Sequence, residues 1–266
     1  TRYSILKAII FCLSIFTLFA IIKTLMQKFI GFDSFETKWL NAGGATTHII
    51  WSGIRYFSFF TDASNMGANM GAAIMFFGIA SLYMRSALCK IYYSCIAILA
   101  LYALFLSGTR GAIIVPLAGL ALYTLISKQT KMVIGGASML LFIYIFFAFT
   151  TIGQSNSSIR RIRTAFNPTK DASYIVRKEN QKKLATYLKY KPFGEGLGLS
   201  GDGLGVKIST RFTTSIPTDS WYVKIWVETG IVGLILYLSM IFFTIGWGGW
   251  IIATQIKDLE LKGLLS

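Results

Sequence analysis

The stretch 104–114, LFLSGTRGAII, places one arginine and two glycines between two apolar runs. Arg110 therefore lies on a short turn, which Gly108 and Gly111 would let close tightly, and the solvent around the two runs sets its environment. The whole chain is 54% hydrophobic and only 14% charged, against about 25% charged in globular proteins. This composition predicts a membrane protein.

Six apolar stretches are long enough, or nearly so, to cross a bilayer, which takes roughly 20 residues. They cover 8–25, 66–84, 91–106, 112–126, 132–150 and 229–252. The sequence predicts one all-α polytopic membrane domain over 1–266 with about six transmembrane helices. Because the chain starts at Thr1 and ends soon after a helix, we expect a fragment of a longer protein.

The connections between the apolar stretches predict the topology. Two are short and basic, 85–90 and 127–131, whereas 26–65 and 151–220 are long and polar. Short positive loops stay in the cytoplasm, and long loops translocate largely regardless of charge. The turn at 108–111 and both long loops are thus expected outside, and 151–220 becomes a large extracytoplasmic loop with short helices, one of them at 173–190.

The sequence offers little for metal or cofactor chemistry. His48 is the only histidine, and the 11 carboxylates are scattered without the spacing of a zinc or calcium site. Cys12, Cys89 and Cys95 lie in or beside apolar segments and are best interpreted as small hydrophobic residues. We expect a metal-independent protein without a cofactor.

The outer loop concentrates positive charge. Residues 151–218 contain 12 lysines and arginines against 4 carboxylates, a balance that attracts anions. A solvated loop lying against anionic headgroups explains the charge equally well. Nucleic acid is disfavoured, since the loop is expected outside the cell and lacks regularly interleaved aromatic residues.

The glycine-rich run KPFGEGLGLSGDGLG at 191–205 contains GxGxxG at Gly196, Gly198 and Gly201. A dinucleotide site is excluded because no strand precedes the run and no helix opens after it. We interpret the run as an adaptable loop that lets the backbone approach a ligand closely.

Two carboxylates flank an aromatic belt that precedes the last apolar stretch. Asp219 and Glu228 lie on either side of Trp221, Tyr222 and Trp226. A carboxylate so close to hydrocarbon is costly, so it is either paired with a cation or kept for chemistry. Both interpretations stay open for each residue.

Four stretches in order resemble the O-antigen ligase and polymerase superfamily, which are polytopic enzymes that transfer or polymerise lipid-linked glycans. They are RYFSFFTDASNMG at 55–67, SGTRG at 107–111, RKENQKKLATYLKYKPFGEGLG at 177–198 and DSWYVKIWVETGIVG at 219–233. Their order, and their placement on the ends of helices, carry the resemblance.

The resemblance implies a GT-C-like glycosyltransferase in the bacterial inner membrane with its active site facing the periplasm. Its partners would be membrane lipids, a glycan donor on undecaprenyl pyrophosphate, and an acceptor. The acceptor is a lipid A core sugar for a ligase, or another lipid-linked repeat unit for a polymerase of O-antigen, capsule or exopolysaccharide.

In the family, arginines at a helix edge and in the outer loop hold the diphosphate. Arg110 and Arg177 match those positions, and Arg55 with Asn65 matches an earlier arginine and asparagine pair. With two further arginines of the outer loop, the candidate pyrophosphate-binding residues are Arg55, Arg110, Arg161, Arg163 and Arg177.

The family's proposed base is a histidine that precedes an E-x-G pattern, matched here by Glu228 and Gly230. The histidine position corresponds to Asp219, and the neighbouring asparagine is replaced by Ser220. Asp219 is therefore the first candidate for the catalytic base and Glu228 the second. The missing histidine favours a polymerase over a ligase.

A transporter or flippase of the same lipid-linked oligosaccharide is the alternative. Transporters tend to have internal repeats, broken helices and ionisable residues at mid-membrane. None of these is evident in the sequence, where Pro116 is the only proline inside a predicted span.

Overall fold

The computed structural model is mostly helical. It describes residues 2–50, 53–127, 134, 138, 141–142, 145–146, 149–153, 160, 163, 172–201, 206–207, 209–218, 220–257, 261 and 264–265. The α-helices within these residues are α1 Arg2–Phe29, α2 Ser34–Trp39, α3 Ala45–His48, α4 Ala63–Tyr83, α5 Ala87–Ser107, α6 Ile114–Ser127, α7 Ala172–Leu188 and α8 Trp221–Thr254.

Shorter elements join these helices. A π-helical turn, Leu40–Gly44, links α2 to α3, and 3-10 turns occupy Arg110–Ile113 and Phe212–Ser215. The strands Ile49–Ile50 and Gly53–Ile54 pair antiparallel. The predicted helical character of the chain is thus confirmed over the part that the structure describes.

Four described helices are long and apolar enough to cross a membrane: Ser4–Phe29, Ala63–Tyr83, Ala87–Ser107 and Trp221–Thr254. The predicted stretch 112–126 lies in a shorter apolar helix, Arg110–Thr124, and most of 132–150 falls outside the described residues. A multi-pass helical membrane protein is therefore confirmed, whereas six spans and a GT-C-like arrangement stay predictions.

The chain divides into two compact units. The first contains Thr1–Asn167 with Ile251–Ser266, and the second is Pro168–Trp250. In the first unit, α1, α4 and α5 share a core that includes Ile10, Phe77 and Ile96. The second unit has its own apolar cluster.

Glycines on α4 let the turn after α5 approach it closely. A Cβ added to Gly67 would lie 2.6 Å from Ser107 Oγ, and one added to Gly71 would lie 3.0 Å from the carbonyl oxygen of Ala112. Small residues allow such contact between helix backbones in membranes. This packing fixes the position of the SGTRG turn against α4.

The second unit is organised around the last two turns of α7. Leu184 and Leu188 are buried, together with Ile216, Val223 and Val227. The helix predicted at 173–190 runs over Ala172–Leu188. At its other end Tyr174 and Ile175 are exposed, so only the second half of α7 packs against its own unit.

Candidate active site

The turn after α5 brings Arg110 to the start of a 3-10 turn. The helix ends at Gly108, which adopts the left-handed conformation with φ 57° and ψ 20°, a conformation that glycine adopts at little cost. The predicted need for glycine is therefore confirmed at Gly108. At Gly111 an added Cβ would meet open space among the described residues, so the turn does not require glycine there.

Arg55 holds this turn in place with its side chain. Its Nε donates to the carbonyl oxygen of Ser107 (3.3 Å), and Nη1 donates to the carbonyl oxygen of Thr47 (3.0 Å). Nη2 donates to Ser64 Oγ (3.2 Å) and to Thr109 Oγ1 (2.9 Å). One guanidinium thus joins α3, the start of α4 and the SGTRG turn.

Arg110 adds a second guanidinium to the same place. Burial lowers the pKa of Arg55, nearby Asp62 opposes this shift, and the positive charge of Arg110 adds to it. Asp62 itself caps α4, because its carboxylate accepts from the backbone N–H groups of Ser64 (2.6 Å) and Asn65 (2.9 Å). Two cations therefore share a half-buried site with one carboxylate.

His48 is built into the fold beside this site. Its Nε2 accepts from the backbone N–H of Ala63 (3.1 Å), which leaves the proton on Nδ1 next to the carbonyl oxygen of Gly44 (3.1 Å). The side chain is buried, and burial lowers its pKa. With its free lone pair already used by α4, this histidine is structural and does not supply the missing base.

In the second unit, α8 is broken at Gly230. This residue has φ 70° and ψ −171° inside an otherwise helical run, and the carbonyl oxygen of Pro192 occupies the space of its missing Cβ. Gly194, with φ 75°, faces the break, and a Cβ there would lie 2.5 Å from Gly230 N. No broken helix was evident in the sequence, and that interpretation is wrong at Gly230.

Backbone hydrogen bonds from the glycine-rich run fill the break. Glu195 N donates to Val227 O (2.9 Å), Gly196 N donates to Glu228 O (3.0 Å), and Val232 N donates to Pro192 O (3.2 Å). The run thereby satisfies both helix ends created at Gly230. The run therefore approaches the backbone of α8 closely, and its approach to a ligand stays a prediction.

The two carboxylates of this junction have different partners. Glu228 accepts from Ser200 Oγ at 2.7 Å, and no cation of the described residues pairs with it. Glu195 binds Lys191 and Arg211, the latter at 2.9 Å. Burial by itself raises the pKa of Glu195, but hydrogen bonds from Lys191 and Arg211 outweigh it and lower the pKa.

Arg177 lies on the exposed first half of α7, in the second unit. One turn further along the helix, Asn180 Nδ2 lies 3.5 Å from the carbonyl oxygen of Pro217. This contact places α7 next to the segment that leads toward position 219. Asp219 lies outside the described residues, so its role as the base stays a prediction.

Arg161 and Arg163 are the two remaining candidate arginines. Arg163 donates to the carbonyl oxygens of Thr150 and Ile152, the second at 2.6 Å, and its guanidinium lies 5.6 Å from the centre of the Phe146 ring. Arg161 lies outside the described residues. Of the five arginines, the structure brings together Arg55 and Arg110.

Sequence reasoning missed several polar partners of these side chains. Thr109 stood inside the quoted SGTRG turn, where a polar residue after a helix signals a backbone or side-chain contact. Ser200 and Arg211 carried no such signal, because their partners Glu228 and Glu195 are far away along the chain. Within the described residues, no group of three His, Cys, Asp or Glu could hold a metal ion.

Comparison with known proteins gives one match. The family model described as O-antigen ligase, Wzy_C, matches residues 95–238. The match includes the SGTRG turn, α7, the glycine-rich run and the break in α8, and it begins after 55–67. No curated protein and no solved structure matches. Since the family model covers more than half of the 266 residues, the chain belongs to the O-antigen ligase family and is a ligase- or polymerase-type membrane enzyme.

Proposed function

We propose that this protein is a glycosyltransferase of the bacterial inner membrane that transfers or polymerises glycans carried on undecaprenyl pyrophosphate. The reaction takes place at the periplasmic face, and the acceptor is a lipid-linked glycan or a lipid A core sugar. Arg110 is the proposed diphosphate-binding residue of the first unit, and Arg55 holds its turn. Arg177, Arg161 and Arg163 are the proposed anion-binding arginines of the outer loop.

The pairing of Arg55 with Arg110 is the observation that carries this proposal. Like charges that share a half-buried place repel each other, and Arg110 lowers the pKa of Arg55. A bound diphosphate removes that cost, because each guanidinium can hold two phosphate oxygens in a planar fork. Asp62 acts on the pKa of Arg55 more strongly than Arg110 does, and the cost that remains is the burial of the guanidinium. The Asp62 carboxylate also caps α4.

Glycosyl transfer also needs a group that takes the proton of the acceptor hydroxyl. Such a base contributes about 10² to 10⁴ in rate. Asp219, at the position of the family's histidine, is the proposed base, and Glu228 is the second candidate. Ser200 fixes the orientation of the Glu228 carboxylate through its hydrogen bond.

The residues at 219 and 220 support a polymerase over a ligase. The histidine is more characteristic of ligases, and this chain has Asp219 and Ser220 where the family pattern has histidine and asparagine. The only histidine, His48, is engaged by α4 and cannot replace it. We therefore expect the acceptor to be another lipid-linked repeat unit.

A transporter or flippase is the second candidate, and the break in α8 favours it. Broken helices whose exposed ends face a substrate are typical of transporters. Here, however, the loop of Pro192–Gly196 satisfies the broken ends. The part of α8 after the break, 231–254, is itself longer than the roughly 20 residues that a membrane span needs. The break can therefore lie outside the bilayer, whereas the broken helices of transporters lie near its midplane. This favours an enzyme.

The test uses the full chain reconstituted with undecaprenyl-pyrophosphate-linked repeat units, and the product is the length of the lipid-linked glycan. We expect chain elongation by the parent, a loss of about tenfold or more in Arg110→Ala and in Arg177→Ala, and near-parental rates in two controls. Lys90→Ala changes a lysine near the start of α5, the helix whose other end leads into the SGTRG turn. Lys178→Ala changes the neighbour of Arg177.

Three outcomes would count against this account. Equal elongation by Arg110→Ala, Arg177→Ala and their lysine controls removes the diphosphate assignment. Transfer of unreacted lipid across the membrane without elongation identifies a flippase. Undiminished elongation by Asp219→Asn, which keeps the shape and removes the charge, moves the base to Glu228, and the same result for Glu228→Gln excludes both carboxylates.

A further inference from the structure

A cavity of about 340 Å³ lies in the first unit, between the end of α1, helix α2 and the loop before α4. Its volume falls within the range of roughly 300 to 1,000 Å³ that ligand sites occupy. Half of the residues that line it are aromatic, and one cation and two carboxylates are among the others: Lys23, Asp33, Phe35, Glu36, Trp39, Phe57, Ser58, Phe59, Phe60 and Thr61.

The wall formed by the loop before α4 is held in a strained conformation. Ser58 has φ 54°, and it is the only described non-glycine residue with a positive φ. Buried Gln27 holds it there, because its Oε1 accepts from the backbone N–H groups of Phe57 (3.2 Å) and Ser58 (2.9 Å). Strain of this kind costs of order 1–3 kcal/mol and clusters at ligand-binding sites.

The charges in the cavity do not suit a phosphate. Lys23 forms ion pairs with Asp33 (2.8 Å) and Glu36 (2.9 Å), so the three side chains leave one negative charge. The hydrogen bonds of the Asp33 carboxylate with the backbone of Glu36 and with Lys23 lower its pKa, which keeps it ionised. An incoming diphosphate would be repelled here, in contrast to the Arg110 turn.

The aromatic side chains present their rings to an occupant. Phe35 is 81% exposed, Phe59 is 69% exposed and Trp39 is 41% exposed. The Trp39 ring also packs against the buried His48 ring with centroids 5.0 Å apart, and the Phe57 ring packs against His48 at 4.9 Å. The mouth of the cavity is therefore open and aromatic, whereas its base is fixed by packing.

We infer that this cavity binds the uncharged sugar rings of a glycan. The apolar face of a pyranose carries C–H groups that pack on aromatic rings, and its hydroxyl groups can donate to carboxylates and accept from an ammonium group. The cavity supplies both kinds of contact and excludes phosphate. It is a carbohydrate subsite that is separate from the arginines proposed to hold the carrier's diphosphate.

The loop before α4 connects this subsite with the Arg110 turn. Arg55, which holds that turn, and Asp62, which caps α4, stand at the two ends of the segment whose middle, Phe57–Thr61, lines the cavity. A lipid-linked glycan with its diphosphate at Arg110 would thus have its sugars beside the cavity. This assignment of the glycan's source rests on the proposed function, whereas sugar binding itself does not.

The test measures binding of two uncharged trisaccharides, chitotriose and maltotriose, to the full chain in lipid nanodiscs by saturation-transfer NMR. We expect at least one of them to bind, and Phe35→Ala and Phe59→Ala to weaken binding roughly tenfold. Phe29→Ala is the matched control, because Phe29 is 73% exposed at the end of α1 but does not line the cavity. Arg110→Ala should also bind the trisaccharide normally.

Equal binding by the parent, Phe35→Ala and Phe59→Ala would overturn the inference, as would no binding of either trisaccharide to the parent. If phosphatidylethanolamine of the nanodisc contacts Phe35 and neither sugar does, the cavity is a lipid-headgroup site, and this result would also overturn the inference. If the parent binds sugar in the cavity but elongates nothing, the proposed function fails and the subsite stands.

Discussion

The Arg110 turn and the break in α8 place charged groups by opposite means. In the first unit, one side chain, Arg55, makes four hydrogen bonds that hold the turn. In the second unit, three backbone N–H groups hold the junction, and glycines at 194 and 230 leave the space that their approach needs. A side chain is the essential part of one region, and the lack of a side chain is essential in the other.

This difference teaches which substitutions each region tolerates. A site built on guanidinium donors depends on the chemistry of one residue and fails when the planar fork is lost. A site built on backbone contacts tolerates changes of side-chain chemistry, but it does not tolerate an added Cβ at the contact point.

Gly230→Ala should have the largest effect on stability. The new Cβ would overlap the carbonyl oxygen of Pro192, and the left-handed φ of 70° is strained for alanine. We expect a loss of about 3 kcal/mol or more in the free energy of unfolding in detergent. The control is Gly248→Ala in the same helix, where an added Cβ meets nothing within 4 Å and the change should stay within about 1 kcal/mol.

If Gly230→Ala and Gly248→Ala unfold at the same denaturant concentration, the backbone junction at the break in α8 is not required for the fold. The contrast between the two regions would then be lost.

Arg55→Lys should come next, because lysine keeps the charge but cannot reproduce the planar fork. We expect a loss of about 2 kcal/mol, since each hydrogen bond contributes roughly 1 kcal/mol. Elongation should fall as well, because the Arg110 turn loses its support. Arg85→Lys, the same exchange at the exposed start of the α4 to α5 connection, should change neither quantity. Equal stability of Arg55→Lys and the parent would show that the charge alone is enough.

Ser200→Ala tests the one side-chain bond that reinforces the backbone junction. Ser200 is fully buried and donates to the Glu228 carboxylate, so its loss should cost about 1.5 kcal/mol. Glu228→Gln combined with Ser200→Ala should show a coupling energy of about 1 kcal/mol. Ser215→Ala, at an exposed serine of the same unit, should change stability by less than about 0.5 kcal/mol. Additive effects would mean that the bond contributes nothing.

His48 should make stability depend weakly on pH. Burial lowers its folded pKa, so below the unfolded value of about 6.5 the unfolded state binds more protons than the folded state. Stability should therefore fall as the pH drops from 7 through this window and down to the folded pKa. His48→Gln, which can still accept from Ala63 N, should show a flat profile. A parent profile as flat as that of the variant would contradict the structural role.

Hydropathy predicted the apolar helices well, because a span is a local property of about 20 residues. Three of the four described spans begin and end within a few residues of the predicted 8–25, 66–84 and 91–106. The last one starts at Trp221 instead of 229, because the aromatic belt continues the helix as far as Gly230. A single glycine in an apolar run does not predict a break in the helix. The break at Gly230 is caused by contact with a loop some 36 residues earlier in the chain.

The candidate site was predictable only where the chain itself carries the pattern. Arg110 and Gly108 lie in one short turn, so their local geometry followed from the sequence. The function of Arg55 depends on Ser107 and Thr109, which are 52 and 54 residues away, and no spacing rule predicts such contacts. The same holds for the cavity beside α2, whose walls come from three separate segments.

Binding of undecaprenyl pyrophosphate to the full chain in nanodiscs tests the central claim most directly, because it isolates the grip on the diphosphate from the chemistry of transfer. We predict that Arg110→Ala binds this lipid at least about tenfold more weakly than the parent, whereas Lys90→Ala at the opposite end of α5 binds it as the parent does. Equal affinity of Arg110→Ala, Lys90→Ala and the parent would contradict the account.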